Sequence, residues 1–142
     1  MPSRCFRVGR SATGLSLFAT KAIARSAFIV AYRGRRIPTI EARARERRFG
    51  AKYMFEINRR WTIDGSARWN LARYINHSCR PNAEALLRKG RIVFVALRRI
   101  VPSEEITLDY GKEYFELFIK NAGCRCVACR AKASIRRRQP KR

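Results

Sequence analysis

Three cysteines crowd into Cys124-Arg125-Cys126-Val127-Ala128-Cys129, a spacing that suits thiolate ligation of a metal. The chain holds five cysteines in all, an odd number that a disulfide framework does not explain, so the cluster also points to a reducing compartment. A second group of chemically capable residues is Asn76-His77-Ser78-Cys79, where the chain's single histidine stands beside an amide. A lone histidine is more often structural than an acid or base. The third feature is charge. Against 10 Asp and Glu stand 33 Lys and Arg, a net charge of +23 that must build a strong positive field. Such a field favours a polyanionic partner over a merely solubilising surface, without choosing among DNA, RNA, an anionic membrane and an acidic protein. No amphipathic stretch favours the membrane.

These residues must be held by an ordered fold. At 142 residues, 46% hydrophobic and 11% aromatic, the chain is sized and composed for one domain with a buried core. No apolar run approaches the roughly 20 residues of a membrane span. The start Met1-Pro2-Ser3-Arg4-Cys5-Phe6 lacks the apolar centre of a signal peptide, which implies an intracellular protein. Short runs rich in apolar, aromatic and β-branched residues predict strands at 6–8, 15–18, 27–32, 53–57, 61–63 and 106–108. Stretches 83–88 and 91–97 flank Lys89-Gly90 as a hairpin would. Between Thr39 and Phe49 the good helix formers Ala, Arg and Glu, with Thr39 as cap and Glu41 in the first turn, predict a surface helix with a basic face. A second short helix is predicted over 114–119. Beyond Lys132, Ile135-Arg136-Arg137-Arg138-Gln139-Pro140-Lys141-Arg142 repels itself and offers too little apolar surface to pack.

The string Asn70-Leu71-Ala72-Arg73-Tyr74-Ile75-Asn76-His77-Ser78-Cys79-Arg80-Pro81-Asn82 closely resembles the signature of SET-domain lysine methyltransferases. Some thirty residues on, Glu104-Glu105-Ile106-Thr107-Leu108-Asp109-Tyr110-Gly111 matches a second signature of that family, in the right order and spacing. Upstream, Gly14-Leu15-Ser16-Leu17-Phe18-Ala19 stands in place of a Gly-x-Gly loop, and Tyr32-Arg33-Gly34 matches Tyr-x-Gly. The cysteine cluster is similar to the zinc-binding segment that follows many such domains, with two residues before its last cysteine where the commonest pattern has four. The resemblance implies a mainly β fold with short helices, in which small twisted sheets surround a threaded, pseudoknot-like C-terminal segment. It divides the chain into a SET catalytic unit over 4–112, a post-SET-like zinc segment over 113–132 and a basic, disordered tail over 133–142.

The activity it implies is methyl transfer from S-adenosylmethionine to a lysine side chain. That chemistry is an in-line displacement, so the protein's task is to align a neutral amine with the methyl group and exclude water. The resemblance gives Tyr110 the catalytic place, where its phenol can orient both partners, with Tyr32 as the second catalytic candidate. Tyr32, Leu108 and Tyr74 would line the lysine channel, and the smaller Leu108 leaves the number of methyl groups open. Backbone carbonyls near Ile75 would face the methyl carbon. Arg10, Gly14, Leu15, Ser16, Arg73, Asn76, His77 and Tyr110 would form the cofactor face. There Asn76 contacts the amino-acid end and His77 contacts adenine through its backbone, while Ser16 adds a Cβ where a glycine is usual. Cys79 with Cys124, Cys126 and Cys129 would complete a closed tetrahedral zinc site that staples the C-terminal segment to the active site. Free thiols or an oxidised pair are the alternative, and Cys5 is left as a buried or unpaired thiol.

A histone-like or other basic substrate would be repelled by a +23 enzyme unless something offsets the field. Glu84, Glu104, Glu105, Asp109, Glu113 and Glu116 are candidates for a locally acidic peptide groove. Arg43, Arg45, Arg47, Arg48, Arg59, Arg60 and the tail are candidates for holding nucleic-acid phosphates, as on a nucleosome. The competing reading is a nucleic-acid-binding zinc protein whose SET domain is catalytically weak or inactive, with Ser16 as its support.

Overall fold

Apolar residues alternate poorly in the first twenty positions, yet a tight hairpin forms there because Ser11 closes it. Strand β1 (Phe6–Ser11) pairs antiparallel with β2 (Gly14–Ala19) from Phe6↔Ala19 to Ser11↔Gly14. The Ser11 hydroxyl donates to the Gly14 carbonyl at 3.0 Å and accepts from the Thr13 N–H at 3.2 Å. The computed structural model describes residues 3–49, 53–111, 124–126 and 128–130. The helix expected over 114–119 and the basic tail lie outside the described residues, as do the greater parts of the 113–132 and 133–142 segments.

Ten strands are described, in three small sheets. The first has the order β1-β2-β10-β7, with β10 at Glu105–Leu108 and β7 at Asn76–His77. The second, β3-β9-β8, joins Phe28–Tyr32 to the hairpin of Ala83–Arg88 and Arg91–Ala96. The third, β4-β6-β5, consists of Arg35–Pro38, Trp61–Asp64 and Met54–Glu56. The helix α1 runs over Thr39–Phe49, and a 3₁₀ turn over Leu71–Tyr74 leads into β7. This is the mainly β architecture with short helices that the sequence implied.

β10 is the strand on which the site depends. It lies antiparallel to β2 (Glu105↔Phe18, Ile106↔Leu17) and parallel to β7 (Thr107↔Asn76, Leu108↔His77), so a C-terminal strand is inserted between two earlier ones. Because it is covered on both faces, Ile106, Thr107 and Leu108 are all buried, a continuous run instead of an alternation. Leu17, Ile75, Phe94, Ile100 and Ile106 form the most deeply buried part of the core. Removing a side chain of this size from water contributes about 2 to 3 kcal/mol each.

Two expectations change. Thr39 opens the helix, but its hydroxyl lies 3.0 Å from both the Asn58 carbonyl and the Thr62 hydroxyl, tying α1 down onto β6. The basic face of α1 is also partly neutralised: Arg45 lies 2.6 Å from Glu41 and 3.4 Å from Asp64, and Arg43 lies 3.2 Å from Glu56.

Candidate functional site

Asn76 occupies the position where three strands converge. Its amide nitrogen lies 3.1 Å from the Thr13 hydroxyl, 3.2 Å from the Leu15 carbonyl, and 3.4 Å from both the Ser11 hydroxyl and Glu105 Oε1. The parallel step of β7 along β10 thus delivers Asn76 to the β1–β2 turn, where Gly14 adopts φ 111° and Leu15 is largely exposed. Arg10 is exposed on β1, paired with Leu15. Ser16 is fully buried, and its hydroxyl donates to Glu105 Oε1 at 2.6 Å. Glu105 therefore links Ser16 on β2 to Asn76 on β7.

Immediately after β10 the chain presents Tyr110, whose hydroxyl donates to the Ile75 carbonyl. The Tyr110 N–H donates to His77 Nδ1 at 3.1 Å, and the two rings stand 5.5 Å apart. Burial pulls the His77 pKa below its ordinary value, with Asp109 opposing. An imidazole that accepts at Nδ1 carries its proton on Nε2 when neutral, and Nε2 lies 3.5 Å from Cys79 Sγ. His77 so joins the tyrosine loop to the first cysteine.

Tyr32 lies on the other side of the 3₁₀ turn, packed against Phe55 and Phe94 at centroid distances of 5.2 and 5.9 Å. Its hydroxyl donates to the Tyr53 carbonyl at 2.5 Å. Burial above all, then the neighbouring Tyr110, Asp64 and Tyr53, pushes its pKa well above the usual tyrosine value, so it remains a protonated donor. Gly65 passes so close that a Cβ there would stand 2.3 Å from the Tyr32 ring, leaving room only for glycine. Arg73 stacks over Tyr53 and Tyr74 at 4.1 and 5.2 Å, and donates to the Ser66 carbonyl at 2.7 Å. It fastens the Tyr53–Ser66 region to the 3₁₀ turn, while Leu108 is buried in the core.

The Sγ atoms of Cys79, Cys124, Cys126 and Cys129 lie within 4.8 Å of one another, with Cys79 at 3.9 Å from Cys124 and 3.6 Å from Cys129. Zinc–thiolate bonds of about 2.3 Å in a tetrahedron place sulfurs about 3.8 Å apart, so the four fit that ion. The Cys79 and Cys129 N–H groups donate to Cys126 Sγ at 3.5 and 3.4 Å. Burial alone would raise the Cys126 thiol, but these donors outweigh it and bring the group down to about 6, within reach of thiolate at neutral pH. Cys5 stands apart, partly buried near the Ile29 carbonyl.

The family model described as the SET domain matches residues 14–111, more than half of the chain. This chain belongs to the SET-domain family. The chain is 37% identical over 128 aligned positions to the Saccharomyces cerevisiae protein named "Histone-lysine N-methyltransferase, H3 lysine-4 specific", covering 84% of this chain and 12% of that one. Two solved structures share the fold. The Chaetomium thermophilum polycomb repressive complex 2 (PRC2) aligns with a TM-score of 0.72 at 28% identity, over 82% of this chain and 16% of the other. The ctPRC2 structure described as autoinhibited and bound to S-adenosylmethionine aligns at 0.66 and 30%, over 78% and 15%. The chain spans only 3 to 12% of the length of such curated relatives.

Within the SET domain, the structure gives work to residues that sequence reasoning left unassigned. Asn82 is buried and accepts from the Thr107 N–H at 2.9 Å while donating to the Glu105 carbonyl at 2.7 Å, which pins β10. Asn70 accepts from the Arg33 N–H and donates to the Gly65 carbonyl, each at 3.0 Å. Both asparagines stand in the quoted signature, and that was the available signal. Glu105, Tyr53 and Gly65 carried none that named their partners. The acidic candidates also divide. Glu104 is engaged by Arg98, Val101 and Asn82, and Glu105 by Ser16 and Asn76, so neither is spare for a peptide groove. Asp109 accepts from the Gly111 N–H at 2.9 Å, Glu84 is exposed on β8, and Glu113 and Glu116 lie outside the described residues.

Proposed function

We propose that this SET domain transfers a methyl group from S-adenosylmethionine to a lysine side chain of a histone or another basic, nucleic-acid-associated protein. One observation carries the reading: β10 brings the Tyr110 hydroxyl onto the Ile75 carbonyl on the same short segment whose Asn76 reaches the β1–β2 turn. A phenol and a backbone carbonyl are thereby fixed together next to the Asn76 amide, an arrangement that can orient the partners of an in-line methyl transfer. Relatives named histone-lysine methyltransferases and a structural neighbour bound to S-adenosylmethionine support the same chemistry.

In this proposal S-adenosylmethionine supplies the methyl group as a sulfonium. The turn around Gly14 and Leu15, with Asn76 and Arg10, holds its amino-acid end, and His77 meets its adenine through the backbone. Tyr110 orients the amine, and Tyr32, Tyr74 and Leu108 enclose the lysine and exclude water. Arg73 acts through Tyr53 and Tyr74. The four cysteines hold a structural zinc that fastens residues 124–129 beside His77. The catalytic unit spans 4–112, the zinc segment 113–132 and the basic tail 133–142, in a protein that works inside the cell. The rival reading of an inactive, nucleic-acid-binding domain leaned on Ser16. Its hydroxyl is taken up by Glu105, so the added atoms do not argue for a blocked cofactor site.

Incubation of the chain with isotope-labelled S-adenosylmethionine and, separately, nucleosomes, free histones and a cell lysate tests this. Label should enter a lysine, and Tyr110→Phe should slow transfer by roughly a hundred-fold or more while folding normally. Equal transfer by the Tyr110→Phe protein would overturn the mechanism.

A further inference from the structure

We propose that the corner where the β8–β9 hairpin tip meets β4, formed by Arg36, Arg88, Lys89 and Arg91, binds nucleic-acid phosphates. This deepens the proposed function, because it rests on the reading that the substrate is associated with nucleic acid. The tip is built against local preference. Lys89 and Gly90 form its two-residue turn with φ 50° and 74°, a left-handed pair for which asparagine or glycine is normally used at the first position. Arg88 stands directly opposite Arg91 as a cross-strand pair, and like charges in that relation destabilise a hairpin. Arg36 then reaches over from β4 and donates to the Gly90 carbonyl at 2.6 Å, adding a cation to the same corner, with Arg35 next to it on the strand.

An open cleft of about 670 Å³ is lined by Arg88, Lys89, Arg91 and Val93. Among the described residues, none of the four cations has a carboxylate partner, in contrast to Arg43 and Arg45 on α1. A strained lysine, an opposed arginine pair and an imported arginine make sense together where an anion neutralises them. Beside Val93, the apolar part of the lining is the aliphatic stems of Arg88, Lys89 and Arg91, which carry their charged ends to the rim of the cleft. Phosphodiesters need only cations and N–H donors, and guanidinium groups match their geometry. Unlike Arg43 and Arg45, which share their charge with Glu41, Glu56 and Asp64, the cations of this corner are left to an external anion.

The test uses the full chain and a fluorescently labelled, mixed-sequence DNA duplex, with affinity measured by anisotropy across a salt series. A triple variant, Lys89→Asn with Arg88→Thr and Arg91→Thr, keeps strand formers in the ladder and places asparagine where the turn favours it, so circular dichroism should show an intact fold. It should bind the duplex roughly ten-fold or more weakly at low salt, and the slope of log affinity against log salt should shrink by roughly three. A control carrying Arg43→Gln and Arg45→Gln, with a comparable loss of charge elsewhere, should change the slope by less than one. An equal loss in both proteins, or none in the triple variant, overturns the site. So does weakened binding of poly-glutamate or anionic vesicles with DNA binding intact. Methylation of a short histone-tail peptide by the triple variant should match the parent, which separates failure of this site from failure of the methyltransferase reading.

Discussion

Ser16 changes meaning once its partner is known. In the sequence it is a departure from the glycine that the family resemblance leads one to expect after Gly14, whereas in the fold it is a fully buried donor to Glu105 at 2.6 Å. Removing the hydroxyl leaves a partly buried carboxylate oxygen short of a donor, and such a loss costs about 1 to 3 kcal/mol. Ser16→Ala should therefore lower the midpoint of thermal unfolding, and calorimetry reads this directly. An unchanged midpoint would mean that Glu105 is satisfied without Ser16. The partner was not legible in the sequence, because the two residues are 89 positions apart. Tyr110 was legible, since its motif surrounds it without interruption. What the motif did not tell is that its backbone rests on His77 and that His77 in turn faces Cys79.

At the scale of elements, local rules read some segments well. Good helix formers end at Gly50 and give α1 its observed bounds, Thr39–Phe49, and Lys89-Gly90 sets the β8–β9 hairpin. β4 was missed because Arg35-Arg36-Ile37-Pro38 looks like a polar loop; it becomes a strand only because β6 offers an edge from Arg35↔Asp64 to Pro38↔Trp61. β7 was missed because two residues carry no period, and its pairing depends on β10 arriving alongside. Ahead of β10, the turn from Val101 to Glu104 is closed by the Glu104 carboxylate, which accepts from the Val101 N–H at 3.0 Å and pairs with Arg98. The Arg98 hydrogen bond above all holds the Glu104 carboxyl below its ordinary value of 4.5. A depressed carboxyl stabilises the fold above its unfolded value, and that contribution disappears as pH falls through the folded one. Unfolding midpoints measured from neutral pH downward should fall below about pH 4.5 in the parent. In Glu104→Gln that part of the acid loss should be missing, with stability lower at neutral pH. Parallel acid limbs in both proteins would remove Glu104 from the account.

For the molecule as a whole, the cysteines and the charge decide most. The four thiols bring Cys124, Cys126 and Cys129 to Cys79, between β7 and β8, with Tyr110 two contacts away through His77. Metal analysis should give one zinc per chain, and chelation should lower the unfolding midpoint, because ligand binding free energy is folding free energy at such a site. Cys126→Ser should reproduce the effect without a chelator. A midpoint indifferent to both would leave the four as ordinary thiols. The net charge of +23 does not lie evenly in function, for the α1 arginines partly meet Glu41, Glu56 and Asp64 whereas the hairpin corner meets no acid among the described residues.

The sequence by itself determined the family, the mainly β character and the cysteines that come together, and it singled out Asn76, His77 and Tyr110 as candidates, because each of these is written in contiguous motifs or in local spacing. Only the tertiary structure decided which buried groups meet: Ser16 with Glu105, Asn82 with β10, Tyr32 with Tyr53 and Gly65, and Arg36 with the hairpin tip. The physical reason is that a hydrogen bond or a close backbone approach between distant positions has no period and no composition. It exists only after β10 has been inserted between β2 and β7, and after β4 has found the edge of β6.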